Sequence, residues 1–101
     1  MKNLKMKKEF KVIADLLPNN IRVLDVGCGD GSLMNFLQKE KNIEVRGLEL
    51  NKDNVQKCIN KGLPVIQGDA ETELHQFPKQ SFDYVVLSQT LQAFYDPDKV
   101  L

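Results

Sequence analysis

A short apolar strand that runs directly into a glycine-rich turn constrains this chain more than any other feature. Residues 22–26 are mostly aliphatic and β-branched, with Asp25 as an acidic interruption, and glycines then alternate at Gly27, Gly29 and Gly31. Such glycines let the backbone turn sharply and let a ligand approach the main chain. The pattern predicts a strand, a loop and a helix that bind a ligand at the carboxyl end of a parallel strand.

The spacing of these glycines separates the ligand classes. A dinucleotide loop has the pattern Gly-x-Gly-x-x-Gly, whereas here the third glycine comes one residue earlier and Ser32 stands where that pattern has Gly or Ala. No Gly-Lys-Ser/Thr closes the run, so it is not a P-loop. The carboxylate of Asp25 suits a ligand with an ammonium group better than one with a pyrophosphate. A structural βα turn and an NAD-type Rossmann domain remain as alternatives.

The composition indicates one globular domain. Of the 101 residues, 42% are hydrophobic and 28% are charged, which is typical of a folded domain and not of a disordered segment. The 14 basic residues balance the 14 acidic ones, so the net charge gives no reason to expect nucleic acid as a partner. No apolar run approaches the roughly 20 residues of a membrane helix, and we expect no membrane partner.

The metal-binding and nucleophilic side chains are few. Cys28 and Cys58 lie in unlike contexts without metal spacing, and they are predicted to be free thiols in a reducing cytoplasm. His75 has no Cys or His near it in sequence. We therefore predict no metal site, and no residue stands out as a catalytic base.

The rest of the chain alternates between helical and strand patterns. Helices are predicted over residues 3–17, 31–39 and 52–60, a short helix or turn over 72–77, and strands over 22–26, 44–50, 63–67 and 82–87. A further helix is predicted to begin at Asp96 and Pro97. The buried helix faces are expected to contain Phe10, Ile13, Leu16, Leu17, Val55, Cys58 and Ile59.

This alternation predicts an α/β fold, a Rossmann-like three-layer sandwich with a parallel sheet. Right-handed crossovers place the strands in the order 3-2-1-4, with the binding crevice between strands one and four. Asn51 is predicted to cap the third helix and Gly62 to end it. Pro64, early in strand three, suits an edge strand.

Candidate binding residues follow the carboxyl end of every predicted strand. Glu49 comes about twenty residues after the loop, where a carboxylate accepts hydrogen bonds from ribose hydroxyls. Asp69 lies where a carboxylate beside a backbone N–H would read adenine. Taken singly, each carboxylate is equally well a helix cap or a solvated charge. Together they predict a site for S-adenosylmethionine (SAM) or S-adenosylhomocysteine, made by Asp25, Gly27, Cys28, Gly29, Glu49, Leu50, Asp69, Ala70, Ser88 and Gln89.

Several runs resemble known proteins. Residues 24–31 resemble the first motif of the class I SAM-dependent methyltransferases. Together with residues 13–15, 22–33, 65–70 and 82–92, they resemble the MetW family, which is named for methionine biosynthesis; the run Ser-Gln-Thr-Leu-Gln at 88–92 is the most specific part. The resemblance implies a class I methyltransferase fold and an association with homoserine O-acyltransferase. It also implies that SAM is held by the residues matching Asp25, Gly27, Gly29, Glu49, Asp69 and Ala70.

The resemblance also implies what this sequence lacks. A class I methyltransferase sheet has seven strands, so we expect residues 1–101 to be the N-terminal half of a SAM-binding domain without strands five to seven. The edge of strand four would then be free for self-association, and an apolar patch of the sheet would face water. Two functions stay open: a SAM-dependent methyltransferase acting on a small acceptor, and a non-catalytic SAM-sensing partner of homoserine O-acyltransferase.

Overall fold

A computed structural model of the chain describes residues 2–78, 81–89 and 92–95. These residues form one sheet flanked by helices. The strands are β1 (Ile21–Val26), β2 (Ile43–Glu49), β3 (Val65–Gln67), β4 (Tyr84–Leu87) and β5 (Gln92–Tyr95), and the helices are α1 (Lys2–Leu16), α2 (Ser32–Glu40), α3 (Lys52–Asn60) and α4 (Ala70–Glu73). A 3-10 turn, Leu74–Gln76, continues from α4.

The sheet has the strand order β3-β2-β1-β4-β5. Strands β1 to β4 are parallel to one another, which confirms the predicted order 3-2-1-4 and the α/β fold class. β3 lies at the edge, as Pro64 indicated. It is shorter than predicted because proline has no N–H to donate to a ladder, and only the Pro64 carbonyl takes part, accepting from Gly47 at 2.9 Å.

The fifth strand was missed, and the prediction of a free strand-four edge is wrong. β5 pairs antiparallel with β4, from Tyr84 opposite Tyr95 to Leu87 opposite Gln92. The outer edge of β4 therefore lacks the unpaired N–H and C=O groups that self-association there would need. The run Gln92–Tyr95 shows no alternation of apolar and polar residues that would indicate a strand, because Ala93, Phe94 and Tyr95 follow one another. The helix predicted at Asp96 and Pro97 lies outside the described residues.

The main core lies between the sheet and the first three helices, whose apolar faces are buried as predicted with two exceptions. Leu16 and Ile59 were expected to point inward but are 61% and 54% exposed. In α1, the buried side of the helix consists of Ile13, Ala14 and Leu17. Leu16 lies on another side of the helix and faces solvent. The buried members of this cluster are Ile13, Ala14, Leu17, Val23, Cys28, Leu33, Met34, Leu37, Ile43, Val45, Cys58, Leu63 and Val86.

A smaller cluster covers the opposite face of the sheet. Leu24, Leu48 and Val85 are almost fully buried there beneath α4 and the 3-10 turn. Phe77 and Phe82 close the cluster with an edge-to-face contact, their ring centroids 5.2 Å apart. The expectation that this part of the sheet exposes a large apolar patch is therefore wrong for the described residues.

Gly47 lies in the middle of β2, where the glycine loop and α2 come closest to the sheet. A Cβ atom at this position would lie 2.7 Å from the Sγ of Cys28 and 2.7 Å from the Cε of Met34. Real Cβ contacts are not this short, so a methyl group here would force the side chains of Cys28 and Met34 to shift. Because both side chains are buried, such a shift would disturb the packing of the core.

We predict that Gly47→Ala lowers the free energy of unfolding by about 1–3 kcal/mol, the usual cost of overpacking a core. Urea unfolding of the full-length protein measures this value. The matched test is the double mutant Cys28→Ala/Gly47→Ala, in which the smaller side chain at position 28 leaves room for the new methyl group. The double mutant should lose less stability than the sum of the two single mutants, and strictly additive losses would contradict the assigned contact.

Candidate binding site at the carboxyl ends of the strands

A cleft of about 190 Å³ opens where β1, β2, β3 and β4 end. It brings together most of the residues that the sequence analysis singled out. Asp25, Cys28, Gly29 and Ser88 are not part of its lining. The predicted residues that line the cleft are Gly27, Glu49, Leu50, Asp69, Ala70 and Gln89. Three residues that were not predicted, Val26, Leu48 and Gly68, complete the lining.

A larger groove of about 530 Å³ lies elsewhere, toward the amino ends of the strands. Its lining includes Arg22, Pro64, Phe77 and Phe82 and none of the predicted binding residues. Open parallel sheets bind ligands outside the carboxyl ends of their strands. The smaller cleft is therefore the candidate functional site.

The backbone N–H groups of the glycine loop are largely engaged within the protein. Gly27 and Cys28 donate to the Leu48 carbonyl at 2.8 and 3.3 Å. The N–H of Ser32, at the start of α2, donates to Asp30 Oδ1 at 3.0 Å. A carboxylate therefore already occupies the positive end of α2, where a dinucleotide loop would bind a phosphate.

Glu49 fastens the glycine loop to the end of β2. Its side chain is buried, and Oε1 accepts a hydrogen bond from the Gly29 N–H at 2.8 Å. Oε2 accepts from the Asn51 N–H at 2.9 Å. Asn51 in turn caps α3, as predicted, by accepting from Asn54. Each carboxylate oxygen has two lone pairs, so Glu49 keeps acceptor capacity for a ligand.

Asp25 is a buried carboxylate with one unsatisfied oxygen. Its residue is fully buried, and Oδ1 accepts a hydrogen bond from the Ser88 hydroxyl. Oδ2 has no hydrogen-bond partner in the described part of the chain. Burial raises the pKa of Asp25 to about 7, repulsion from Glu49 adds to the rise, and the Ser88 hydroxyl opposes it. A buried polar atom without a partner is uncommon in folded proteins, so Oδ2 is a candidate acceptor for a donor that the described residues do not provide.

The third strand end contributes a carboxylate that also has a structural role. Asp69 is exposed to solvent and caps α4 by accepting from the Glu71 N–H at 2.8 Å. It lines the cleft with the neighbouring Ala70. On the opposite side, the amide nitrogen of Gln89 lies 3.6 Å from the place where a Gly27 Cβ would be.

Cys28 points into the core instead of the cleft. Its Sγ atom lies 3.9 Å from the Sγ of Cys58, and both are free thiols, as predicted. Sequence spacing gave no signal for this contact, because it arises only when the crossover from β2 to β3 places α3 against the loop. Only the backbone of Cys28 therefore remains to contact a ligand.

The described residues lack the features of a metal centre and of a membrane-spanning helix. They contain no group of three or more His, Cys, Asp and Glu side chains that could hold a metal ion. No helix among them has the length and apolar character needed to cross a membrane.

Comparison with known proteins relates this chain to one protein family. The family model of methionine biosynthesis protein MetW matches residues 7–101. A relative from Rhodopirellula baltica, the bifunctional methionine biosynthesis protein MetXA/MetW, is 32% identical over 89 residues, which is 80% of this chain and 14% of that protein.

Solved structures share the fold. A SAM-dependent methyltransferase from Archaeoglobus fulgidus aligns with a TM-score of 0.70 and 32% identity, over 80% of this chain and 36% of that one. A SAM-dependent methyltransferase from Thiobacillus denitrificans, solved with S-adenosyl-L-homocysteine, aligns with a TM-score of 0.65 and 18% identity over 79% of this chain and 35% of that one. The chain thus spans about a third of the length of these structures.

We predict that the burial of Asp25 makes stability depend on pH. Its pKa is about 7 in the folded chain, above its ordinary value of 3.8. Between these values the unfolded state ionises while the folded state keeps its proton, so this residue's contribution to stability falls as pH rises from about 4 to about 7. Above pH 7 the loss is constant.

Urea unfolding of wild type and Asp25→Asn at pH 4 and pH 8 measures this contribution. The variant cannot ionise, so its free energy of unfolding relative to wild type should rise by up to about 4 kcal/mol over the range. Carboxylates far from position 25 titrate equally in both proteins and cancel in the difference, while the repulsion between Asp25 and Glu49 is part of the effect that is measured. A difference that stays constant with pH would contradict the assignment.

Proposed function

Because this chain belongs to the MetW family of methionine biosynthesis proteins, we propose that it binds SAM or S-adenosylhomocysteine in the cleft. The chain is a SAM-dependent methyltransferase-like protein by family and fold. We further propose that residues 1–101 are the SAM-binding part of the larger domain that its relatives contain. Two free, buried thiols favour a reducing compartment, and we propose the cytoplasm.

The distribution of charge around the cleft carries this proposal. Among the described residues, the lining contains the carboxylates of Glu49 and Asp69 and no lysine or arginine. Asp25 and Asp30 add two more carboxyl groups at the glycine loop. SAM carries a sulfonium and an ammonium group, so these carboxylates would attract it, whereas they would repel the pyrophosphate of NAD.

Most of the predicted residues have a role that their placement allows. Glu49 would accept hydrogen bonds from the ribose hydroxyls, and Asp69 and the Ala70 N–H would recognise adenine. Asp25, held by Ser88, is buried and does not line the cleft, so its Oδ2 would accept from the ammonium group only where SAM binding opens the cleft beside Val26 and Gly27. Leu50, which is 66% exposed at the cleft, would gain a partner for its apolar side chain, and Gly27 and Gln89 would bound the remaining side.

The proposed reaction is transfer of a methyl group to a small acceptor. When bound, SAM supplies an electrophilic methyl group on a positive sulfur atom. The chain's own residues would orient this donor and exclude water around it, which are the main protein contributions to such a displacement. An acceptor that is already nucleophilic needs no catalytic base, and we assign none.

The second candidate function is that of a SAM-sensing regulatory partner. The MetW family, which this sequence resembles, is associated with homoserine O-acyltransferase. The relative from Rhodopirellula baltica carries the names MetXA and MetW in one polypeptide. A SAM-binding subunit attached to an early enzyme of the pathway would couple that enzyme to the pathway's product through linked binding. This observation supports an acyltransferase as the protein partner.

Calorimetric titration of the full-length protein with SAM, S-adenosylhomocysteine and NAD tests the binding proposal. We expect binding of the first two and none of NAD. Glu49→Ala should weaken SAM binding more than Asp53→Ala does, because a hydrogen bond to a carboxylate contributes roughly 1.5–3 kcal/mol. Asp53 lies in the first turn of α3, where its charge affects stability instead. Equal affinities of the two variants, or tight NAD binding, would refute the site.

A pull-down of the full-length protein with purified homoserine O-acyltransferase tests the partner, and we expect a complex at micromolar concentration. A methyl-transfer assay with radiolabelled SAM, with and without the acyltransferase, then separates the two functions. Labelled product indicates a methyltransferase. SAM-dependent change in acyltransferase activity without labelled product indicates a regulator. Failure to detect a complex would remove the regulatory candidate.

A further inference from the structure

Two side chains at the end of α3 contact the glycine loop, although neither belongs to a recognised motif. The Sγ of Cys58 donates to the Gly29 carbonyl at 3.3 Å. The Nζ of Lys61 donates to the Asp30 carbonyl at 2.9 Å and lies 3.8 Å from Asp30 Oδ2. Neither side chain lines the cleft. Since the Gly29 N–H donates to Glu49, the loop is held from both sides at Gly29.

The backbone at the end of α3 is shaped to make these contacts. The N–H groups of Lys61 and Leu63 both donate to the Cys58 carbonyl, and Gly62, with φ of +74°, turns the chain back toward the loop. Leu63 then packs beneath Gly31, where a Cβ atom would lie 2.5 Å from Leu63 Cδ1 and 3.0 Å from the Cys58 Sγ. The loop and the helix end fit closely together.

The state of the thiols favours a hydrogen-bonding role for Cys58. Burial raises the pKa of both Cys58 and Cys28. A neutral buried thiol is a weak nucleophile and remains a hydrogen-bond donor. The close pair of sulfur atoms is therefore better suited to holding the loop than to redox chemistry.

We propose that Cys58 and Lys61 are positioning residues for SAM binding. By holding the carbonyls of Gly29 and Asp30 toward α3, they fix the Gly29 N–H against Glu49, and so orient the carboxylate that receives the ribose. A glycine-rich loop loses much conformational freedom when it is ordered. Ordering it before the ligand arrives raises affinity without any new ligand contact. The inference rests on the SAM site proposed above.

The test measures SAM affinity of the full-length protein by calorimetry, thermal stability, and amide hydrogen exchange at residues 29–31. The variants are Lys61→Met, Lys61→Arg, Cys58→Ala and Cys58→Ser. Lys57→Met is the matched control, because Lys57 and Lys61 both act on Asp30 by charge. The Ser32 hydroxyl is the main cause of the lowered pKa of Asp30, and the positive charges of the two lysines lower it further. In the described contacts, however, no hydrogen bond joins the Lys57 side chain to the loop. The control thus removes a nearby positive charge without removing a hydrogen bond to the loop.

We expect Lys61→Met and Cys58→Ala each to weaken SAM binding about fivefold to tenfold, the effect of one lost hydrogen bond, and to speed exchange at residues 29–31. Lys61→Arg and Cys58→Ser, which keep a donor, should recover most of the affinity. Affinities equal to that of Lys57→Met would overturn the proposal, even if thermal stability falls. If wild type binds no SAM, the proposed binding site is wrong. Hydrogen exchange then tests separately whether Cys58 and Lys61 hold the loop, and equal exchange rates in all variants would show that they do not.

Discussion

The buried carboxylate of Glu49 is the interaction on which the rest of the binding edge depends. It accepts one N–H from the glycine loop and one from the start of α3, so a single side chain joins β2 to both segments. A buried carboxylate is unfavourable unless donors surround it, and these two N–H groups meet part of that need. The same geometry leaves acceptor positions toward which ligand hydroxyls would be drawn. The stability of the loop and the proposed recognition of the ligand would thus share one group.

Two aspartates in this sheet show how the chain separates stability from binding. Asp83 lies just before β4, where hydrogen bonds from the Arg22 backbone and side chain hold its pKa low, and it joins the start of β1 to β4. Asp25, near the carboxyl end of β1, is buried with one oxygen unsatisfied, and its pKa is raised. The ionised carboxylate of Asp83 stabilises the folded state, whereas ionisation of Asp25 destabilises it. A costly carboxylate at the carboxyl end of a strand is a feature of functional sites.

The strand order and most of the cleft could be predicted from sequence, because both follow from local patterns and a general rule. Right-handed crossovers fix the order of β1 to β4 once the strands are recognised, and parallel strands bring Glu49 and Asp69 to one edge. What sequence did not reveal depends on tertiary packing. β5 is four residues long, Leu16 and Ile59 are turned outward by the way their helices meet the sheet, and Cys58 and Lys61 reach the loop only through the shape of the α3 end.

If SAM binds as proposed, occupancy of the cleft and stability of the folded chain rise together. A ligand that binds only the folded chain stabilises it in proportion to the logarithm of its concentration above the dissociation constant. Here the ligand would also supply the donor that Asp25 lacks and complete the acceptor positions of Glu49. The glycine loop, held by Glu49 on one side and by α3 on the other, would already be ordered for this ligand. Such a loop would serve a methyltransferase, which must fix its donor, and equally a regulator, since both must bind SAM.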